Sequence, residues 1–158
     1  MSIAPVRHSL EVNGPADRAF ELFTSQMGQW WPGGRTPAAN PAVDVVVEPR
    51  PGGRWYEVDV EGNETQWGTV VTWAPPHRLV LGWQLGQDWR FEPDLLTEVE
   101  IAFVDVGNGR TLVSLEHRNL ERFGNYALER RNQVDSGWPA RLADFRDFSN
   151  SVSEETTA

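Results

Sequence analysis

His117 is the side chain in this sequence that is best placed to carry a proton. It follows Val113 and Leu115 at alternating positions of a predicted strand, so these three side chains should point into the core together. Burial can move the pKa of an inward-facing histidine across neutrality, which would make it a proton carrier or a hydrogen-bond partner for a ligand. The alternative is a buried neutral histidine that bonds to the backbone.

Glu57 is a candidate acid or base because it alternates with Trp55 on one predicted strand. A carboxylate that faces an apolar cavity has a raised pKa and can exchange protons near neutrality. His117 and Glu57 are therefore the candidate catalytic residues, and an acid/base pair requires both to converge on one cavity wall. The alternative is that Glu57 faces solvent, as we expect for Asp59 and Glu61 on the same strand.

Tryptophan is abundant, with eight residues in the chain. A wide, rigid side chain with one N–H group suits a pocket for a flat hydrophobic ligand. The predicted ligand-binding residues are Trp31, Trp55, Glu57, Val70, Leu81, Trp83, Ile101, Phe103, Leu115, His117 and Trp138. The alternative is that these side chains only build the core. The pattern does not decide which face Trp67 and Trp73 occupy, because Gly68 and Val70 compete for the inside of the same strand.

Arginines cluster before and within the start of the last predicted helix. The members of this group are Arg118, Arg122, Arg130 and Arg131. Such a group could receive an anionic part of a ligand at the mouth of a cavity. Alternatively, its members could pair with Glu116, Glu121 and Glu129.

The residue inventory excludes several chemistries. The chain has no cysteine and only three histidines, which are scattered, so thiol chemistry is excluded and no metal-ligand spacing is present. It has no lysine, which excludes Schiff-base catalysis and a P-loop lysine. The glycine patterns of dinucleotide binding and of a nucleophile elbow are also missing from the sequence. We therefore expect neither a metal nor a cofactor.

Length and charge limit the partners. A chain of 158 residues is typical of one domain. Its formal charge of −9 opposes binding to nucleic acid or to an anionic membrane. The first residues lack the basic start and apolar run of a signal peptide, and no apolar run approaches the roughly 20 residues of a membrane helix. We therefore expect a cytoplasmic protein.

Periodicity and turn residues predict the elements that position these side chains. The predicted strands are Val6–Val12, Val43–Glu48, Arg54–Val60, Thr65–Trp73, Leu79–Leu85, Thr97–Asp105 and Thr111–His117. Helical spacing predicts a short helix that begins near Ala16, and a long amphipathic helix from about Ala127 to Phe148. Pro139 lies inside the long helix and should kink it or begin a new segment.

This order of elements predicts an α+β fold. A meander of antiparallel strands with one long amphipathic helix buries its apolar face by curling around that helix. One helix cannot fill the curled sheet along its whole length, so a cavity should remain at one end. We expect a single domain over residues 1–149 and a frayed polar tail over residues 150–158.

Six segments in this order resemble the START-like (SRPBCC) superfamily, and within it the branch of heat-shock-protein ATPase activator homologues. They are Trp30-Trp31, Pro49–Trp55, Trp67–Val70, Pro75–Trp83, Leu115–His117 and Gly137–Leu142. The resemblance extends from about Val6 to Phe148. It implies the helix-grip fold: a seven-stranded curved antiparallel sheet around a long C-terminal helix, with two short helices after the first strand and a hydrophobic cavity. It does not imply one chemistry.

Three functions remain open at this point. The first is binding of a small hydrophobic or aromatic molecule without catalysis. The second is a cofactor-free enzyme of the cyclase, dehydratase or hydrolase type that uses His117 and Glu57. The third is a chaperone-interaction module, although the co-chaperone of this branch carries an additional N-terminal domain that this sequence lacks. A homodimer is a general expectation for small domains of this kind.

Overall fold

The computed structural model describes residues 2–157, with side chains for residues 2–152. The strands are β1 (Val6–Asn13), β2 (Ala42–Val47), β3 (Arg54–Asp59), β4 (Glu64–Ala74), β5 (Arg78–Trp83), β6 (Thr97–Gly107) and β7 (Arg110–Arg118). The helices are α1 (Ala16–Ser25), α2 (Met27–Trp30) and α3 (Ala127–Thr157), and a 3₁₀ segment (Leu120–Tyr126) precedes α3. Each strand lies within two residues of its predicted boundaries, and the two short helices follow β1 as expected.

The strands form one antiparallel sheet in the order β1-β7-β6-β5-β4-β3-β2. The chain therefore runs as a meander from β2 to β7, and β1 closes the far edge against β7. The helix α3 lies on the inner face of this curved sheet, where Phe145 packs against Phe23 of α1 and Trp138 packs against Trp83 of β5. The predicted α+β helix-grip fold is confirmed.

Alternation along the strands places the core where the sequence predicts it. Leu79, Leu81 and Trp83 are all buried, and so are the inward residues of β6 and β7. Each side chain of this kind contributes about 1.5–3 kcal/mol when it leaves water. Because consecutive residues of a strand point to opposite faces, this pattern fixes which side of the sheet receives α3.

Two β-bulges in β4 decide the orientation that alternation left open for Trp67. Register shifts occur opposite Trp55/Tyr56 and between Val70 and Thr72. An extra residue in a strand resets its alternation. As a result Trp67 and Val70, three positions apart, are both buried, at 1% and 2% exposure. Trp73 instead lies half-buried against Phe20 at the end of the strand.

The helix α3 is longer and more regular than predicted. It continues without a break across Gly137 and Pro139 and extends to Thr157. Fraying of the polar tail from residue 150 stays a prediction. The Asn150 side chain accepts a hydrogen bond from the backbone N–H of Asn13 (2.9 Å), and Ser149 is buried. These contacts tie the polar end of the helix to the end of β1.

Gly68 permits the close approach of β4 to β5. A Cβ atom at this position would overlap the carbonyl oxygen of Gly82. We expect Gly68→Ala to lower the free energy of unfolding by roughly 2 kcal/mol or more, because the backbone of a central strand pair cannot move aside cheaply. Gly34→Ala is the matched control, since a Cβ there meets nothing within 4 Å. Urea denaturation that gave both variants the same stability would contradict this prediction.

Candidate functional site

A cleft lined by tryptophan opens between α3, the loop after α2 and the loop after β5. Its larger part has a volume of about 480 Å³ and its smaller part about 150 Å³. Both parts are lined by Trp31, Arg35, Trp83, Trp89 and Arg141. The larger part continues to Thr36, Pro37, Trp67 and Leu85, and the smaller part to Gln133, Val134, Gly137 and Trp138. Five of the eight tryptophans therefore line this cleft.

The indole rings pack against one another and form a rigid wall. Trp31 lies 4.9 Å from Trp67 and 6.0 Å from Trp138 between ring centroids. Trp83 lies 5.6 Å from Trp138 and 6.2 Å from Trp89. Tilted and edge-to-face arrangements at these distances are the favourable ones for aromatic pairs. The wall is thus held in shape by its own contacts.

One buried indole N–H in this wall lacks a partner among the described residues. Trp31 donates to the carbonyl oxygen of Arg35 (3.0 Å), and Trp67 donates to Oε1 of Glu57 (2.9 Å). In contrast, Nε1 of Trp83 is buried and has no hydrogen-bond partner among the described residues. An unpaired buried donor costs about 1–3 kcal/mol. A ligand acceptor in the cleft would remove that cost.

His117 forms the centre of a buried hydrogen-bond chain. Nε1–H of Trp138 donates to Nδ1 of His117 (3.2 Å), and because an indole only donates, the proton of the imidazole must lie on Nε2. Nε2–H then donates to Oγ1 of Thr97 (2.9 Å), whose hydroxyl donates to the carbonyl oxygen of Trp83 (2.8 Å). Burial, assisted by the positive charge of Arg130, lowers the pKa of His117 from 6.5 to about 3. His117 is therefore neutral at physiological pH, with both nitrogens engaged.

Glu57 is fully buried and anchors the loop after α2. Its carboxylate accepts hydrogen bonds from the Thr36 hydroxyl (2.8 Å), the backbone N–H of Ala38 (3.2 Å) and Nε1 of Trp67. It does not face solvent, so that alternative is wrong. The same alternative is wrong for Asp59, which is 7% exposed and accepts bonds from the turn after β3.

The structure does not bring His117 and Glu57 together. His117 lies on β7 and Glu57 on β3, with three strands between them in the sheet. They share no hydrogen-bond partner among the described residues, and each is saturated by its own neighbours. Their geometry is that of two separate structural anchors.

The predicted ligand-binding residues divide into two groups. Trp31, Trp83 and Trp138 line the cleft. The remaining apolar members lie buried in the core: Trp55, Val70, Leu81, Ile101, Phe103 and Leu115. For this second group, contact with a ligand stays a prediction.

The predicted arginine cluster does not form the mouth of the cleft. Arg118 pairs with Glu98 and Glu100 at 3.0 and 2.7 Å. Arg122 donates to the carbonyl oxygen of Leu96, and Arg131 to those of Ala4 and Pro5. The arginines that line the cleft are instead Arg35 and Arg141.

Arg130, the fourth member of the cluster, holds the loop after β5 in place through hydrogen bonds. Its guanidinium is buried and donates to the carbonyl oxygens of Leu85 (3.4 Å), Gly86 (3.0 Å) and Gln87 (3.2 Å). It also lies 3.9 Å from the ring centre of Trp89, at cation–π distance. Trp89 has a φ of 62°, which is uncommon for a bulky residue, so contacts with Arg130 hold it in a conformation it would otherwise avoid.

Sequence reasoning named only three residues of the cleft as ligand-binding, and the tryptophans and arginines that it missed are Arg35, Trp67, Trp89 and Arg141. A usable signal existed on α3, because Val134, Trp138 and Arg141 recur at helical spacing on one face of that helix. Arg35 and Trp89 lie in loops, where no period applies.

The described residues offer no ready metal site and no membrane span. No three histidine, aspartate or glutamate side chains among them converge on one point. No helix in the described part of the chain is both long and apolar enough to cross a bilayer.

Comparison with known proteins identifies several relatives. A family model described as "Activator of Hsp90 ATPase homolog 1-like protein" matches residues 13–148. An anthrahydroquino-γ-pyrone synthase is 36% identical over 92% of this chain and 97% of its own, with a TM-score of 0.66. CalC, a self-sacrificing resistance protein from Micromonospora echinospora, is 35% identical over 93% and 94%, with a TM-score of 0.69.

More distant structures share the fold alone. The Aha1 dimer from Colwellia psychrerythraea is 14% identical over 94% of this chain and 97% of its own, with a TM-score of 0.65. A search of curated proteins gave no match.

The buried neutral state of His117 predicts a pH-dependent stability. Its pKa in the folded protein is about 3, whereas the unfolded chain takes up a proton near 6.5. The stabilisation is therefore complete above pH 6.5 and is lost as the pH falls towards 3, at about 1.4 kcal/mol per pH unit. We expect this slope between about pH 6 and 5 in urea titrations of the wild type, below the pKa of the unfolded chain, and its loss in His117→Gln. His77→Gln, in an exposed turn, should keep the wild-type slope. An unchanged slope in His117→Gln would contradict the assignment.

Proposed function

The chain belongs to the Activator of Hsp90 ATPase homolog 1-like family, and we propose that it binds a flat, hydrophobic small molecule between the tryptophans of the cleft. The combined parts of the cleft have the size of a small-molecule site, for which about 300–1,000 Å³ is usual. Family membership supports a ligand-binding role for this fold without naming a ligand.

The unpartnered N–H of Trp83 carries the proposal. Cores normally satisfy their buried donors, so an exception in a side chain that lines an aromatic cleft is informative. Neighbouring rings of Trp31, Trp89 and Trp138 provide flat apolar surfaces around it. A planar ligand with one acceptor atom would stack on these rings and accept the hydrogen bond of Trp83.

The relatives support the same class of ligand. The synthase that is 36% identical to this chain is named for a fused-ring anthrahydroquinone-type compound. The second relative, at 35% identity, is described as a resistance protein. A fused aromatic ring system is therefore the ligand skeleton that we propose for this chain.

Catalysis in the same cleft is a second candidate, favoured by the synthase among the relatives. The hydrogen bonds of His117 and Glu57 do not favour these two residues as an acid/base pair, since both are committed to the core. Any reaction would then depend on the conformation and orientation that the cleft imposes on the bound molecule, and not on that pair.

We expect anthraquinone-2-carboxamide, a neutral fused-ring probe, to quench the tryptophan fluorescence saturably. Trp89→Ala removes one stacking surface and should weaken binding by about tenfold, in keeping with the loss of an aromatic contact. Trp73→Ala is the matched control, because Trp73 packs on Phe20 outside the cleft and its loss leaves the same number of tryptophans.

The experiment separates three outcomes: binding in the cleft, catalysis in the cleft, and a cleft that does neither. Equal weakening by Trp73→Ala and Trp89→Ala, or a lack of saturable quenching, would overturn the cleft as the binding site. Mass spectrometry of the probe recovered after incubation separates binding from catalysis, because a binder returns it with its mass unchanged.

A further inference from the structure

The cleft carries a charge opposite to that of the whole protein. The formal net charge is −9. Yet the residues that line both parts of the cleft include two arginines and, among the described residues, no aspartate or glutamate. Behind this lining, Arg130 adds a third positive charge next to Trp89, whereas Glu57 hydrogen-bonds to Trp67 and Asp144 pairs with Arg141, so the formal balance of these five groups is about +1. A local positive field inside an acidic surface concentrates anions at that point.

Arg141 has hydrogen-bond donors to spare. Its Nε–H donates to Oδ2 of Asp144 (2.9 Å), one turn further along α3. No hydrogen bond joins its two terminal amino groups to any described residue, although the side chain is only 17% exposed. A guanidinium offers these groups as a planar fork that matches two oxygens of a carboxylate.

Arg35 is held in place by a hydrogen bond to its backbone and not by an ion pair of its guanidinium. Its carbonyl oxygen accepts the indole N–H of Trp31 (3.0 Å), which holds the residue at the rim of the cleft. Among the side chains of residues 2–152, no carboxylate forms an ion pair with its exposed guanidinium. Its charge is thus available to a molecule in the cleft.

We infer that the ligand of the cleft is an aromatic anion, whose ionised oxygen group is bound by Arg141 and Arg35 while its rings stack on the tryptophans. This inference rests on the proposed function and specifies its ligand class. The N–H of Trp83 provides a further donor for a second oxygen of the same molecule. Charge-assisted hydrogen bonds are about twice as strong as neutral ones, so the charge should dominate selectivity.

A matched pair of probes tests the inference: anthraquinone-2-carboxylate and anthraquinone-2-carboxamide, which differ in charge on the same ring system. We expect the wild type to bind the carboxylate at least about tenfold more tightly, the order of one charge-assisted hydrogen bond. Arg141→Gln and Arg35→Gln should each reduce this preference, and the double variant should abolish it while still binding the carboxamide. Because the guanidinium of Arg35 pairs with no carboxylate among the described residues, its variant keeps the test valid even where loss of the Asp144 contact destabilises Arg141→Gln.

Arg146→Gln is the control, since Arg146 lies on the same helix, pairs with Asp147 and does not line the cleft. It should leave the preference unchanged. The preference should also fall as ionic strength rises. Equal affinity of the wild type for both probes would overturn the inference and leave the proposed function intact. Failure of both probes to bind would instead remove the proposed function itself.

Discussion

A buried chain of hydrogen bonds ties the long helix to the sheet, and the shape of the cleft depends on it. The chain runs from Trp138 on α3 through His117 on β7 to Thr97 on β6, and ends at the carbonyl oxygen of Trp83 on β5. It can form only with a neutral imidazole of one tautomer, since the indole of Trp138 has a proton to give and none to accept. Burial lowers the pKa of His117 far enough to keep this form. The helix is thereby fixed in register against three strands, and the two tryptophans at the ends of the chain pack edge to face in the wall of the cleft.

A second set of anchors shapes the loops around those walls. Glu57 holds the loop after α2 with three hydrogen bonds, and Arg130 holds the loop after β5 through its carbonyl oxygens. Both charges are buried and satisfied mostly by neutral groups, an arrangement that contributes to stability only while every partner is in place. His117, Glu57 and Arg130, which sequence reasoning singled out for acid/base chemistry and anion binding, form hydrogen bonds that hold the surroundings of the cleft. The groups that can bind a ligand are the polar groups of the cleft that are not engaged in hydrogen bonds or ion pairs with these anchors.

Much of the fold could be predicted because its main signals are local. Alternation in β5, β6 and β7 identified the inward face, and helical spacing identified α3 and its contact residues. Even the inward direction of His117 followed from Val113 and Leu115 beside it. The predicted helix ended near Phe148, whereas α3 continues to Thr157, and the contact between Asn150 and Asn13 joins residues too far apart in sequence for a local pattern to record.

The architecture and three tryptophans of the cleft follow from local patterns, since strand and helix periods are properties of neighbouring residues. The rest of the site depends on contacts between distant parts of the chain. Trp67 points inward because bulges in β4 reset its alternation, which depends on the pairing with β3 and β5. Trp89 takes its place from Arg130, which lies 41 positions further along the chain. The loop that carries Arg35 depends in the same way on Glu57. These bonds join residues that are distant in sequence, so no local pattern records them. The charged side chains that can bind a ligand are identified only when the ion pairs and hydrogen bonds of the other charged side chains are known.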